Sequence, residues 1–204
     1  IELKPGTHDC LVEGNELYSN NTNITYNQGA VEINQRDNSA QSWSGNPNHI
    51  VRNNLIHDNK AGIRLGTGAT AYNNVIYNTA SSFPGIFADN LNGDSFTRFV
   101  YHNTIHMTSN GVTVSGGTAT VRNNIGTTGT NNLAYNAAYF VNAAGRDYHL
   151  VPGVSPVNAG MDLRSVVPTD RDGLARDAQP DLGAYEQQGS VTPPAAPQNV
   201  KIIP

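Results

Sequence analysis

The chain has 204 residues, a net charge of −4 and only 14 % charged residues. No basic patch is present, which argues against a nucleic-acid partner, and no apolar run is long enough to span a membrane. The single cysteine, Cys10, excludes an internal disulfide and reads as a small packed residue. Asparagine is abundant at 27 residues and glycine at 20, a polar, low-charge composition suited to a secreted chain.

The predicted elements repeat. "IEL" (1–3) is followed by "CLVEGNELYSN" (10–20), "GAVEI" (29–33) by "VRNNLIHDN" (51–59), and "GIRL" (62–65) by "TAYNNVIYN" (70–78). "GIFA" (85–88) then precedes "FVYHNTIHM" (99–107), and "GVTV" (111–114) precedes "TVRNNIG" (120–126). Each unit holds three short strands joined by small turns. Such strands are too short to stand alone, but stacked coils pair each strand with the coils above and below, about 4.8 Å apart.

Asn15, Asn54, Asn74, Asn103 and Asn124 share one corner of the repeat. In register they form an asparagine ladder, which satisfies amides that would otherwise be buried unpaired. Val12, Val51, Ala71 and Val100 make one interior column and Leu17, Ile56, Ile76 and Ile105 another. Tyr18, His57, Tyr77 and His106 share an outward column that reads as packing.

The ladder asparagines are spaced 39, 20, 29 and 21 residues apart. A bare coil therefore takes about 20 residues, and the first and third intervals carry insertions. Loops at 20–28 and 34–48 and at 79–84 and 89–97 should wall a groove with the "GIRL" strand near its floor. Alternation places Glu2, Glu32, Arg64, Phe87 and Thr113 in one outward column. Lys4, Asn34, Gly66, Asp89 and Ser115 form the next. Glu32, Arg64, Asp89 and Lys4 thus lie beneath loops carrying Tyr26, Arg36, Asp37 and the only tryptophan, Trp43. Trp43, Tyr26, Arg36 and Phe87 are the candidate substrate-binding residues, since aromatic groups on a polar groove suit sugar rings. Asp89, Asn92 and Asp94 in "DNLNGD" (89–94) offer oxygen ligands for calcium, although a plain turn explains them as well.

On its ladder and coil phrases, roughly residues 1–142 resemble the pectate-lyase-like superfamily. The fold this implies is all-β: a right-handed parallel β-helix of about five coils. "IELK" and "GIRLG" look similar to strands of polysaccharide lyases in that superfamily, which implies Lys4 as base and Arg64 as charge neutraliser; alternation adds Glu32, beside Arg64 in its column, as a third candidate catalytic residue. The "R-H-G" strand of the alginate and dermatan lyases is absent. Residues 143–188 read as an irregular C-terminal cap sealing the open end of the solenoid. "DYHLVPGVSPVNAG" (147–160), "TDRDG" (169–173) and "PDLGAYE" (180–186) resemble the closing segment of secreted bacterial β-helix proteins. Residues 189–204 form a Pro-rich linker whose end resembles the start of a fibronectin type III domain. The expected parent is a larger modular extracellular protein, secreted or on a bacterial cell surface, of which this is a C-terminal portion, monomeric or one module among several.

The sequence supports two main function classes. One is a carbohydrate-active module whose partner is a polysaccharide, as a lyase cleaving uronic-acid-containing chains by β-elimination. The other is a non-catalytic structural or adhesive segment of a surface protein or phage fibre. A hydrolase using Glu2 and Glu32, one coil apart, is a third.

Overall fold

The computed structural model describes residues 1–4, 6–20, 29–33, 46–66, 68–80, 83–90, 96–106 and 111–187. The first coil contributes β1 (Glu2–Leu3), β2 (Leu11–Glu13) and β3 (Glu16–Tyr18). The second contributes β4 (Val31–Ile33), β5 (Ile50–Arg52) and β6 (Leu55–His57), and the third β7 (Ile63–Leu65), β8 (Thr70–Tyr72) and β9 (Val75–Tyr77). The fourth holds β10 (Ile86–Asp89), β11 (Arg98–Tyr101) and β12 (Thr104–His106), and the fifth β13 (Val112–Ser115) and β14 (Ala119–Arg122). Strands of one kind stack into one sheet: β1-β4-β7-β10-β13, β2-β5-β8-β11-β14 and β3-β6-β9-β12. Every pairing within these sheets is parallel. The architecture is a parallel β-helix of five coils, with no α-helix among the described residues.

The interior is filled by aliphatic columns. Val31, Ile33, Ile63, Leu65, Ile86 and Ala88 line it from the first sheet, Val51, Ala71 and Val100 from the second, and Ile56, Ile76 and Ile105 from the third. Each fully buried Val, Leu or Ile contributes about 1.5–3 kcal/mol. A glycine begins the phrase that enters the first sheet because the backbone of the next coil leaves no room there for a Cβ. A Cβ on Gly62 would overlap the carbonyl of Gly85, and one on Gly111 that of Gly126.

The paired asparagines divide two tasks. The second of each pair is the ladder rung. Asn74 donates from Nδ2 to Asn103 Oδ1 (2.9 Å) and to the Val51 carbonyl (2.9 Å). Its own Oδ1 accepts from the backbone N–H (3.1 Å) and Nδ2 (3.0 Å) of Asn54. The same pattern continues through Asn124 to a further rung, Asn132. The first of each pair turns the corner in the left-handed region: Asn53 (φ 57°), Asn73 (54°), His102 (50°) and Asn123 (58°), with Gly14 (68°) doing so in the first coil. Asparagine tolerates that conformation better than most residues.

After Asn132 the chain forms a 3₁₀ turn (Ala137–Tyr139) and an antiparallel hairpin, β15 (Phe140–Asn142) and β16 (Asp147–Leu150). The segment that follows docks on the third to fifth coils. Its anchors are the corner residues of those coils. Asn73 donates to the Thr169 carbonyl (2.8 Å) and accepts from Arg176 Nη2 (3.0 Å). His102 Nδ1 lies 3.1 Å from the Asp181 carbonyl, and Asn123 exchanges two hydrogen bonds with the Met161 backbone. Asp170 of "TDRDG" and Asp181 of "PDLG" cap turns, whereas the Asp172 carboxylate meets His149 Nε2 at 2.8 Å. Asp170 accepts from the N–H groups of Asp172, Leu174 and Glu186, and Asp181 from those of Asn158 and Gln187.

Candidate functional site

Period-two alternation fixes which side chains of the first sheet face outward. Registers Glu2↔Glu32, Glu32↔Arg64, Phe87↔Arg64 and Phe87↔Thr113 make the column read from sequence continuous. Asp89 pairs in register with Ser115, in the adjacent outward column.

Three of these residues form one network. Arg64 donates from Nη1 to Glu32 Oε1 (3.0 Å), and from Nε (3.2 Å) and Nη2 (2.7 Å) to Asp89 Oδ2. Although on the outward face, Glu32, Arg64 and Asp89 are only 4 %, 7 % and 5 % exposed. One cation therefore sits between two carboxylates out of bulk water. Burial pushes the Glu32 carboxyl above the ordinary range, against the pull of Arg64 and with help from neighbouring Glu2. Half-buried Phe87 lies beside Arg64 in the same column. Lys4 is elsewhere: its Nζ pairs with Glu2 Oε1 at 2.5 Å, with both side chains open to solvent.

The structure thus brings Glu32, Arg64 and Asp89 together, with Phe87 adjacent, and engages Lys4 with Glu2 rather than with Arg64. The sequence offers Asp89 as a calcium ligand. Its Oδ2 is held by a guanidinium, whose positive charge opposes a cation at the same oxygen. Asn92 and Asp94 lie outside the described residues, as do Tyr26, Arg36, Asp37 and Trp43 and most of the groove loops. Among the described residues no cluster of three or more His, Cys, Asp or Glu is placed to hold a metal ion.

No family model matches this chain, and comparison with curated proteins and with solved structures finds no match. The strand register alone therefore carries the architecture, and the site must be judged on its geometry. The pairing of Arg64 with Asp89 escapes a reading of the sequence because it is diagonal. Asp89 stands one coil up and two residues along from the position opposite Arg64, a reach that only a long side chain makes. The shared outward parity of Phe87 and Asp89 is the one signal of it in the sequence.

Proposed function

We propose that the chain is a carbohydrate-binding parallel β-helix module of an extracellular protein, of the pectate-lyase-like kind, with a polysaccharide lying across the outward face of the first sheet. The observation carrying this reading is the buried Glu32–Arg64–Asp89 network beside half-buried Phe87. Charges withdrawn from water on an outward face cost several kcal/mol of desolvation and add nothing to the aliphatic core. Their use is to hold polar groups in a fixed orientation, which lowers the ordering cost of binding. An aromatic side chain beside such groups supplies the apolar contact that a sugar ring needs.

Binding is favoured over cleavage by the state of the two cations. β-Elimination needs a positive charge at the substrate carboxylate and a base at the neighbouring proton. Arg64 is outnumbered by its two carboxylates, and Lys4 is paired with Glu2. One observation favours catalysis as a second reading: Glu32, whose carboxyl burial pushes above the ordinary range, stands in register with Glu2, as a general acid and its carboxylate partner would in glycoside hydrolysis.

The test is a panel of neutral and uronic-acid polysaccharides, with and without calcium, scored for retention and for two kinds of product. Retention without new reducing ends or ultraviolet-absorbing unsaturated sugars is expected. Phe87→Ser should weaken retention at least ~10-fold, about 1.4 kcal/mol. Unsaturated ends would restore the lyase reading, and saturated ends the hydrolase. Retention of no polysaccharide would leave the structural reading.

A further inference from the structure

We infer a second binding site, for a single carboxylate-bearing sugar ring, where the closing segment meets the third sheet. The rings of that sheet's outward column stack from coil to coil. Tyr18 and His57 lie 5.3 Å apart and 7° from parallel, and His57 and Tyr77 4.8 Å and 5°. His106 is the register partner of Tyr77 but stacks the other way, on Tyr135, at 4.0 Å and 5°. The ring centroid of Tyr148, from the hairpin, lies 5.8 Å from those of both Tyr77 and His106, and its hydroxyl meets His106 Nδ1 at 2.8 Å. A cavity of about 300 Å³ is lined by Tyr77, His106, Tyr148 and Arg146, with Ala143 and Ala144 as an apolar wall. That is the low end of small-ligand pockets, room for one ring and not for a chain.

Arg146 decides the chemistry. Its guanidinium lies 5.0 Å above the Tyr77 ring, and its side chain is 55 % exposed. The facing carboxylate, Asp58, stands 3.9 Å away, the outer limit of an ion pair. Both Asp58 oxygens have nearer partners: His57 Nδ1 at 2.6 Å on one, and Asn78 Nδ2 on the other. The cation of the cavity is thus weakly compensated, and its planar fork suits a carboxylate. The backbone points the same way. Arg146 adopts φ 69°, a left-handed conformation that favours glycine. A long cationic side chain kept at a strained position, above an aromatic ring and at the mouth of a cavity, marks a place held for use.

The kind of ligand rests on the carbohydrate reading above, whereas the site is on a different sheet. The experiment is ligand-observed saturation-transfer NMR on the full chain with sodium glucuronate, glucose and sodium acetate, each to about 50 mM, where a millimolar dissociation constant gives near-saturation. Glucuronate should bind saturably, and glucose and acetate at least ~10-fold more weakly. Arg146→Gly places the preferred residue in the left-handed turn, so its thermal midpoint should hold or rise while glucuronate binding falls at least ~10-fold. Absence of saturable glucuronate binding overturns the proposal, as does equal binding by Arg146→Gly. Acetate binding as well as glucuronate would reduce the site to a simple anion contact, and glucose binding as well would remove the role of Arg146; either also overturns it. Polysaccharide retention by Arg146→Gly separates the two sites. Retained polymer with lost glucuronate supports both readings, and bound glucuronate with no polymer retained sinks only the first.

Discussion

His102 occupies the corner that asparagine fills at Asn73 and Asn123, and Asn123 Nδ2 donates to its Nε2 at 2.9 Å. With Nε2 accepting, Nδ1 carries the proton and donates to the Asp181 carbonyl (3.1 Å). The ring is therefore neutral and joins the fourth coil to the closing segment. Burial drives its pKa well below the ordinary histidine value, and nearby Arg176 adds to the shift.

This linkage has a definite sign. A base whose folded pKa is depressed is more easily protonated when unfolded. The stability it protects is complete above about pH 6.5 and is lost as pH falls below that, at up to about 1.4 kcal/mol per pH unit. His102→Asn keeps a residue that tolerates φ 50° and removes the titration. The difference in thermal midpoint between wild type and variant should therefore move in the variant's favour between about pH 7 and 5. A difference that stays constant over that window would show that His102 does not titrate on unfolding.

The ladder makes a second prediction. Asn74 is fully buried and is held through four side-chain hydrogen bonds. Asn74→Ala leaves partners on two neighbouring coils unsatisfied, a loss of about 1–3 kcal/mol. Asn15 is the terminal rung and half-buried, so Asn15→Ala should cost clearly less. Equal shifts in chemical denaturation would mean that the ladder does not act through buried partners.

Gly62 supplies the third. The Cβ of Gly62→Ala would strike the backbone carbonyl of Gly85, which no rotamer change relieves. The coils must separate locally, and the loss should be at least about 1–3 kcal/mol, the ordinary cost of overpacking. Gly14→Ala, where the added Cβ meets nothing within 4 Å, is the control; its loss reflects the left-handed φ of 68° alone, about 1 kcal/mol. Denaturation midpoints of the two variants decide it: the reading fails if Gly62→Ala is the milder.

The coils, the outward column and the asparagine ladder were legible because each rests on a period. Interior Val and Ile recur with the coil, the rungs recur with the corner, and alternation assigns the faces without further information. Features that lack a period were not legible. The first asparagine of each pair reads as part of the strand, because a left-handed φ leaves no mark on spacing. Its second use, as an anchor for Thr169, Arg176 and Met161, depends on contacts nearly forty to over one hundred residues away in sequence. Alternation places Asp89 in the column next to Arg64, but their pairing has no period because the diagonal crosses both coil and column. The cavity beside Tyr77 needs Arg146 and Tyr148, which sit in a segment that the sequence marks only as closing the solenoid.

The buried network on the first sheet gives the last prediction. Removing Arg64 while keeping its size, as in Arg64→Met, leaves Glu32 and Asp89 as two unpaired carboxylates away from water. Breaking a buried ion pair from one side costs about 3–5 kcal/mol. In the variant the Glu32 carboxyl, already pushed up by burial, should rise further, since burial persists and the pull of the cation is gone. A raised acid favours the folded state when protonated, so the deficit should be largest at neutral pH and shrink toward about pH 4. Adding Glu32→Gln and Asp89→Asn to Arg64→Met removes the charge and should recover most of the loss at neutral pH. Denaturation curves for the single and triple variants at both pH values are the measurement. A single variant as stable as wild type at neutral pH would mean that the three groups are solvated. The case for a preorganised recognition surface on the first sheet would then fall with them.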